Sequence, residues 1–369
     1  MMGADLKRGW CPSLLRPMES GDGWLVRVRP RAAVITAVIA RAVAGAATRY
    51  GNGRIEITNR ANLQIRGLRP ETVEPFAAAM EAVGAADDGP AILVSPLAGS
   101  DPGVAAETLD LAAAIARASG LALPAKFGVL IDGGGALPLA GLSLDVTLRA
   151  AGGRWLLDGA EVAVEDAAAR ALALAEVRAC APRQVAGRTD TRPALGFHPY
   201  GDGRQGAVLL APAFGQLQAT QLSSLADLAE RLGDGSLRPT PWKSLAIAGV
   251  ERRDEGLLRD LARQIRLMTE PDDRRLGIVT CVGAPSCSRG EVETYAAAES
   301  LALSRHEGDP LLHLSGCAKG CAHPGPAEVT LVGENGRFTF IRRGRPGNEA
   351  VAHGLTLAQC AALMQSVPA

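Results

Sequence analysis

The sequence has no excess of charge of either sign. Its 39 lysines and arginines balance its 39 aspartates and glutamates, so the formal net charge is zero at pH 7. A general nucleic-acid-binding protein usually carries a basic excess. The balance therefore argues against that class, while the 47% of apolar and 21% of charged residues are typical of a globular protein.

Long apolar runs are also absent. The longest, AAVITAVIARAVAGAA, is interrupted by Arg41 and is shorter than the roughly 20 residues that a transmembrane helix needs. We interpret it as a buried helix. The first residues, MMGADLKRGWCP, contain no apolar signal region, so we expect a soluble cytoplasmic protein. In that reducing compartment the seven cysteines, an odd number, are expected to be ligands or core thiols rather than disulfides.

The 369 residues contain an internal duplication. GNGRIEITNRANLQIRGL at 51–68 aligns without a gap with GDGSLRPTPWKSLAIAGV at 233–250, an offset of 182 residues. The motif GDG recurs at 21–23 and 201–203, and GGRWLL near Arg154 corresponds to NGRFTF near Arg337. Because similar offsets hold across most of the chain, the sequence predicts one fold built from two similar halves.

Each half is predicted to mix strands and helices, which indicates an α+β fold with a pseudo-two-fold axis. In the second half, Asn335-Gly336 lies between alternating apolar runs and predicts a tight hairpin. The first half is predicted to contain strands at 24–29, 54–58, 62–66, 92–97, 126–132 and 142–157, and helices at 32–49, after Pro70, at 104–118 and from Glu165.

Four of the cysteines form two glycine-flanked pairs. The spacing is C-x5-C at Cys281 and Cys287, followed by C-x3-C at Cys317 and Cys321. Four thiolates suit an iron–sulfur cluster or a zinc ion, although zinc ribbons favour C-x2-C pairs. Buried free cysteines are the alternative. The other three, at positions 11, 180 and 360, have no such neighbours and are interpreted as ordinary thiols.

A row of polar residues follows the first copy of the repeat. In an extended chain, side chains at alternate positions point the same way, and five polar positions would span roughly 26 Å at about 3.3 Å per residue. Amides and guanidiniums bind carboxylates well. A solvated strand face is the alternative, but the second copy, TPWKSLAIA, has lost most of the row. The five residues are Thr58, Arg60, Asn62, Gln64 and Arg66.

The cysteine spacing, the duplication and the T-x-R-x-N-x-Q-x-R-G strand together resemble the sulfite and nitrite reductase family. The resemblance implies ferredoxin-like half domains at 10–75 and 190–255 and α/β lobes at 85–185 and 270–369. It also implies that the second lobe carries a [4Fe–4S] cluster held by the four paired cysteines, beside a tetrapyrrole. The substrate-binding residues that it implies are Thr58, Arg60, Asn62, Gln64, Arg66, Lys126 and Lys319.

Further segments resemble one branch of this family, an oxygen-dependent branch of aerobic cobalamin biosynthesis. They are KRGWCPSLLRPMESGDGWLVRVRP, SPLAGSDP, LPAKFGVLIDGG, LRPTPWK and HLSGCAKGCAHP. The resemblance implies a monooxygenase that hydroxylates precorrin-3A and closes a lactone to give precorrin-3B, with the tetrapyrrole as substrate. It further implies a mononuclear non-haem iron. Because the sequence offers no dinucleotide site, electrons that come ultimately from NADH are expected to arrive through a partner reductase or carrier.

The alternative within the family is a sirohaem-dependent sulfite or nitrite reductase. These reductases resemble this chain but carry Lys-x-Lys where it has Lys126 and Gly128, and they carry an arginine where it reads DDGPAILV. The cationic pocket that anion reduction needs is therefore thinner here. A non-catalytic tetrapyrrole carrier or zinc-stabilised module is a third hypothesis.

No residue is assigned to oxygen activation. Of the five histidines, His313 and His323 flank the cysteine loop, but no 2-His-1-carboxylate spacing is present. For Lys126 and Lys319 the alternative is a solvated surface lysine. GNGRIE and DGGGALP do not form a G-x-G-x-x-G motif between a strand and a helix, so no dinucleotide site is predicted.

Overall fold

The computed structural model describes residues 11–85, 91–117, 123–124, 126–180, 192–306, 308–323 and 325–365. Within them the chain forms two compact units. Unit 1 holds residues 19–23 and the part from Pro271 onwards, and unit 2 holds the rest. No helix of these residues is both long and apolar enough to cross a membrane.

The helices of the described residues include the predicted apolar one, which begins at Ala37 rather than Ala32 because Thr36 accepts a hydrogen bond from the Ile39 N–H and caps it. The helices are α1 (Ala37–Tyr50), α2 (Pro70–Ala82), α3 (Thr108–Ala116), α4 (Val164–Ala179), α5 (Ala219–Leu232), α6 (Glu255–Gln264), α7 (Thr294–Leu303) and α8 (Leu357–Gln365).

The strands of the first half are β1 (Met18–Ser20), β2 (Gly23–Val28), β3 (Ile35–Thr36), β4 (Arg54–Ile57), β5 (Leu63–Leu68), β6 (Ile92–Val94), β7 (Val129–Asp132), β8 (Val146–Ala151), β9 (Arg154–Leu157) and β10 (Ala160–Val162). Those of the second half are β11 (Gly196–Tyr200), β12 (Gln205–Pro212), β13 (Gln216–Gln218), β14 (Ser236–Pro239), β15 (Leu245–Glu251), β16 (Leu267–Met268), β17 (Ile278–Thr280), β18 (Leu312–Ser315), β19 (Ala327–Glu334), β20 (Arg337–Gly344) and β21 (Ala352–Leu355).

The two copies in unit 2 share element bounds and main-chain hydrogen bonds. Helices α1 and α5, and strands β4 and β14, begin and end 182 residues apart. The N–H groups of Gly51 and Gly53 both donate to the Ala47 carbonyl, and those of Gly233 and Gly235 both donate to the Ala229 carbonyl. The predicted duplication is therefore confirmed at the level of single hydrogen bonds.

The two copies in unit 2 exchange strands. The first sheet contains the strand order β2-β5-β4-β13, preceded by β1, so a strand of the second copy forms its other edge. The second has the order β11-β12-β15-β14-β3, with a strand of the first copy at its edge and β16 beside β12. The Ala219 N–H donates to Gly53 and the Ala37 N–H donates to Gly235, each at 2.9 Å. One apolar core, with Val43, Leu225 and their neighbours, serves both copies.

The two α/β sheets share one topology. In unit 2, β6, β7 and β8 pair in parallel, and β9 and β10 continue the sheet antiparallel. In unit 1, β17, β18 and β19 pair in parallel, and β20 and β21 continue it antiparallel. The predicted hairpin between β19 and β20 turns at Asn335 and Gly336, whose φ angles are 49° and 73°.

Candidate functional site

The cysteine loops of unit 1 follow two neighbouring parallel strands. Cys281 comes directly after β17, and Cys317 comes two residues after β18. Because parallel strands end at the same edge of a sheet, the two loops that hold the cysteine pairs meet there. The sheet topology therefore explains why pairs 30 residues apart in the sequence converge.

The four thiols lie close enough to influence one another. Burial raises the pKa of Cys281, and the neighbouring Cys317 and Cys287 raise it further, while the Gly316 N–H donates to its Sγ at 3.2 Å. Burial also raises the pKa of Cys321, against the opposing charge of Lys319. The thiols therefore form one group that could hold a shared cofactor.

A single metal ion fits this group poorly. Among the residues that the structure describes, no three His, Cys, Asp or Glu side chains are grouped as one metal ion requires. A tetrahedral zinc site brings four ligands to about 2.3 Å from one centre. An iron–sulfur cluster has several irons and spaces its thiolates more widely. Four thiols match the ligand count of such a cluster, which stays a prediction.

Backbone packs tightly around Cys281. The Thr294 hydroxyl donates to its carbonyl at 2.7 Å, and a Cβ on Gly316 would lie 3.0 Å from the Gly283 Cα and 3.5 Å from the Cys281 Sγ. The Cys287 N–H donates to the Gly283 carbonyl at 2.8 Å. Glycine at positions 283 and 316 thus allows the main chain to approach the Cys281 sulfur closely.

The histidines beside the loop form a pair rather than a metal site. His313, on β18, is completely buried, and its ring centroid lies 5.7 Å from that of His323 in an edge-to-face arrangement. No carboxylate or third ligand joins them in a metal-binding group among the described residues. Lys319 lies on the exposed surface of the loop.

The predicted polar row on one extended strand is wrong. Strand β4 ends at Ile57, and residues 58–62 form a turn in which the Thr58 N–H donates to the Asn62 carbonyl. The Thr58 hydroxyl accepts from the N–H groups of Arg60 and Asn62, and Ala61 has a φ of 57°. A threonine that caps its own turn interrupts the alternation, so only Gln64 and Arg66 lie on β5.

Gln64 and Arg66 belong to a polar network that the sequence did not reveal. Arg27, Gln64, Glu56 and Gln216 lie in register on four adjacent strands. Arg27 donates to Gln64 at 2.9 Å, and Glu56 accepts from Gln64, from Arg66 at 3.2 Å and from Gln216 at 3.1 Å. Burial lowers the pKa of Arg27, against the opposing effects of Cys11 and Glu56.

The signal for this network lies in the comparison of the two copies. At the offset of 182, Gln64 corresponds to Ala246 and Glu56 corresponds to Arg238. The carboxylate therefore occurs only in the copy that kept the amide and the guanidinium. Because Glu56 lies on the strand next to Gln64, considering the two together would have identified the polar network.

Arg60 binds main chain. Its guanidinium donates to the carbonyls of Lys126 and, at 3.4 Å, Phe127. Lys126 has a φ of 74°, which is unfavourable for a residue with a side chain. A Cβ at Gly128 would lie 3.1 Å from Leu144 and 3.5 Å from the Arg60 guanidinium. Arg60 thus occupies the space beside position 128.

A cavity of about 470 Å³ opens beside Arg60 in unit 2. Its polar lining comes from Asn62 and from four arginines, of which only Arg60 was predicted from the sequence as a substrate-binding residue. The charge density of VRVRPRA could have identified two of the others. Its apolar lining comes mainly from β6 and α3. The four arginines are Arg29, Arg31, Arg60 and Arg117.

Residues 16–83 and 198–263 match the family model of the nitrite/sulfite reductase ferredoxin-like half domain. A precorrin-3B synthase of Sinorhizobium sp is 34% identical over 92% of this chain and 84% of its own length. A ferredoxin–nitrite reductase of Synechococcus elongatus is 26% identical over 88% of this chain and 78% of its own length. The structure of Mycobacterium tuberculosis NirA protein covers 92% of this chain and 79% of that one, with a TM-score of 0.65 and 20% identity. The predicted fold is therefore confirmed.

Proposed function

Since the chain belongs to the precorrin-3B synthase family of the nitrite/sulfite reductases, we propose that it is an oxygen-dependent monooxygenase that converts precorrin-3A to precorrin-3B in cobalamin biosynthesis. The observation that carries the proposal is the 34% identity to a precorrin-3B synthase over 92% of the chain. The nitrite reductase relative is more distant over a similar span. One oxygen atom enters the product by hydroxylation and lactone closure, and the other leaves as water.

The proposed substrate-binding surface lies in unit 2. Precorrin-3A is a polycarboxylate macrocycle, and guanidiniums bind carboxylates in bidentate fashion. The arginines around the 470 Å³ cavity support binding of ring carboxylates there, while the apolar lining from β6 and α3 excludes water from the pyrrole edge. To the predicted residues Arg60 and Asn62 we add Arg29, Arg31 and Arg117.

The other proposed substrate-binding residues have distinct roles. Gln64 and Arg66 donate to Glu56, so they shape the polar face of the sheet through that carboxylate. The Thr58 hydroxyl holds the turn that carries Asn62. Lys126 is exposed and offers an ammonium to a substrate carboxylate. We place Lys319 at the cofactor, because it is the cation between two of the thiols.

The proposed cofactor is a [4Fe–4S] cluster held by Cys281, Cys287, Cys317 and Cys321. When bound, such a cluster transfers electrons one at a time. The surrounding thiols suit a reducing compartment such as the cytoplasm. The electrons come from a separate reductase that draws on NADH. A mononuclear iron would activate oxygen, and no residue is assigned as its ligand.

Position 128 argues against the sirohaem reductase alternative. The Cβ of a lysine there would lie 3.1 Å from Leu144, which would have to shift by a few tenths of an ångström, and 3.5 Å from the Arg60 guanidinium, which is an ordinary contact distance. Position 91, where the reductases carry an arginine, is an alanine that lines the cavity. Neither position carries the cation that the reductases have there, whereas the arginines around the cavity remain available for the carboxylates of the macrocycle.

The test is anaerobic purification followed by an absorption spectrum and iron, sulfide and zinc analysis of one sample, and then turnover of precorrin-3A with and without oxygen. We expect iron and sulfide without sirohaem bands, together with oxygen-dependent formation of precorrin-3B.

The variant Cys317→Ser should lose the cluster spectrum, whereas Cys180→Ser, at an exposed thiol, should keep it. Intense sirohaem bands would favour the sirohaem-dependent reductase. Zinc without iron or sulfide would contradict both the monooxygenase and the reductase hypotheses.

A further inference from the structure

The GDG motif at 21–23 is a repeated motif that the proposed function leaves unexplained. Residues 19–23 belong to unit 1, although the chain on both sides of them belongs to unit 2. Unit 1 is also the unit that holds the four paired cysteines. The chain therefore enters the cysteine-bearing unit for five residues near its start, and the motif lies within that segment.

Gly21 lies directly against a cysteine sulfur. Its carbonyl accepts from the Ser288 N–H at 2.8 Å, which ties the turn to the residue after Cys287. A Cβ built on Gly21 would lie 2.4 Å from the Cys287 Sγ. Real Cβ atoms do not approach other heavy atoms that closely. No side chain fits at position 21 while the Cys287 sulfur keeps its place.

Backbone conformation does not explain this glycine. Gly21 is not among the glycines with positive φ, so an alanine could adopt its backbone conformation. The corresponding glycine of the second copy, Gly201, differs in both respects. It has a φ of 59°, and a Cβ on it would meet only Pro102, at 3.5 Å. The same motif therefore serves turn geometry in one copy and the space around a sulfur in the other.

We propose that Gly21 is a positioning residue for the cofactor site, because its missing side chain fixes the direction in which Cys287 presents its sulfur to the other three cysteines. The inference rests on the cluster in the proposed function. A free cysteine side chain can rotate about its Cα–Cβ bond and avoid a methyl group at position 21. A sulfur bound to iron cannot rotate, so the same methyl group opposes ligation.

The experiment compares Gly21→Ala with the wild-type chain, each purified without cofactor and reconstituted anaerobically with ferrous iron and sulfide. Thermal unfolding of the cofactor-free proteins should coincide, because Cys287 can rotate. After reconstitution, Gly21→Ala should hold about half as much iron or less, since one of four thiolate ligands is displaced. Its EPR signal after reduction should match that of Cys287→Ala.

Two further variants separate this role from general damage. Gly21→Ala added to Cys287→Ala should cause no additional loss of iron, because the sulfur that the methyl group would meet is gone. Gly45→Ala, with no atom within 4 Å of its Cβ, should bind iron like the wild type. Full iron content and an unchanged EPR signal in Gly21→Ala would overturn the inference, as would equal destabilisation of both forms. Absence of iron from the reconstituted wild type would instead refute the proposed cluster.

Discussion

The side chain of Arg60 binds the main chain of a second basic residue, Lys126. The Arg60 guanidinium donates to the carbonyls of Lys126 and Phe127, and Lys126 adopts a left-handed backbone conformation with a φ of 74°. Such conformations persist when the surroundings enforce them, and they are concentrated at functional sites. Arg60 therefore fixes the position of the Lys126 main chain, and we propose that it contributes to substrate binding partly in this way.

Removal of the Arg60 guanidinium should loosen this loop. We expect Arg60→Ala to lower the free energy of unfolding by about 1.5–3 kcal/mol, the usual range for hydrogen bonds that involve a charged group. Urea denaturation measures the change. The control is Arg154→Ala, whose exposed ion pair with Glu161 should contribute less than about 0.5 kcal/mol. Equal effects of the two substitutions would contradict the role of Arg60.

A glycine at position 126 should relieve the backbone and impair the site. Lys126→Gly is expected to raise the free energy of unfolding by about 0.5 kcal/mol, because relief of the left-handed conformation exceeds the added entropy of the unfolded chain. Affinity for precorrin-3A should fall, because the ammonium is lost. Lys243→Gly is the matched control, with a φ of 58° in the other copy. It should stabilise similarly and leave substrate binding unchanged in an equilibrium titration.

Asp234 makes stability depend on acid pH. Burial raises its pKa, but hydrogen bonds from Arg238, Ser236 and Ser100 and the charge of Arg238 outweigh this and hold the pKa below the ordinary value of 3.8. A carboxylate with a lowered pKa stabilises the fold above the unfolded pKa, and this contribution disappears as the pH falls through the folded value.

We therefore expect Asp234→Asn to cost about 2–3 kcal/mol at pH 7, because it leaves the buried Arg238 without its carboxylate. The difference between variant and wild type should shrink below about pH 4, as the wild-type carboxylate becomes protonated. Denaturation midpoints from pH 2 to pH 7 measure this. Asp260→Asn, in an exposed pair with Arg263, should differ little from wild type at any pH.

How far the sequence determined the site depends on the kind of residue. The cysteine spacing predicted a shared cofactor, because loops after parallel strands converge wherever the sheet forms. The prediction drawn from the alternation of polar and apolar residues between Thr58 and Arg66 was wrong. Such an alternation places side chains on one face only where the main chain is extended. The side-chain hydroxyl of Thr58 competes for two N–H groups and produces a turn. Contacts of Arg60 with carbonyls 66 residues away have no local signal.

At the scale of elements, the exchange of β3 and β13 ties the two copies together. Ile35 pairs with Leu237 of the second copy, and Leu217 pairs with Ile55 of the first. Both side chains are about 1% exposed and belong to one apolar core. The sequence predicted the helix and the duplication but not the exchange, because two- and three-residue strands carry too little periodicity to be recognised.

Equivalent truncations in the two exchanged strands should have equivalent effects. Ile35→Ala and Leu217→Ala are each expected to lower the free energy of unfolding by about 2–4 kcal/mol, since each removes buried apolar atoms from a packed core. Val38→Ala, at a side chain that is 64% exposed, should change it by less than about 0.5 kcal/mol. Guanidinium denaturation monitored by circular dichroism tests this. A strong effect at only one exchanged position would contradict a shared core.

At the scale of the whole molecule, unit 2 consists of two copies that complete each other and an α/β sheet. A fragment of residues 11–180 lacks β13 and the buried face of α5. We expect it to expose apolar surface, to bind the dye ANS and to unfold without a cooperative transition, because a sheet with a missing edge strand and half a core is unstable. Co-expression with residues 192–369 should restore a cooperative transition. A fragment that melts cooperatively alone would contradict this.

The strand exchange also delays the completion of the first sheet during synthesis of the chain. Glu56 on β4 and its partner Gln216 on β13 are 160 residues apart. A ribosome adds about 5–20 residues per second, so β13, which pairs with β4, is synthesised roughly 8–32 s after it. During that interval the nascent chain exposes a strand edge, the kind of surface that recruits neighbouring chains into aggregates. Slower translation of residues 57–215 would lengthen the wait, so the yield of native protein should depend on the pace of synthesis through this region.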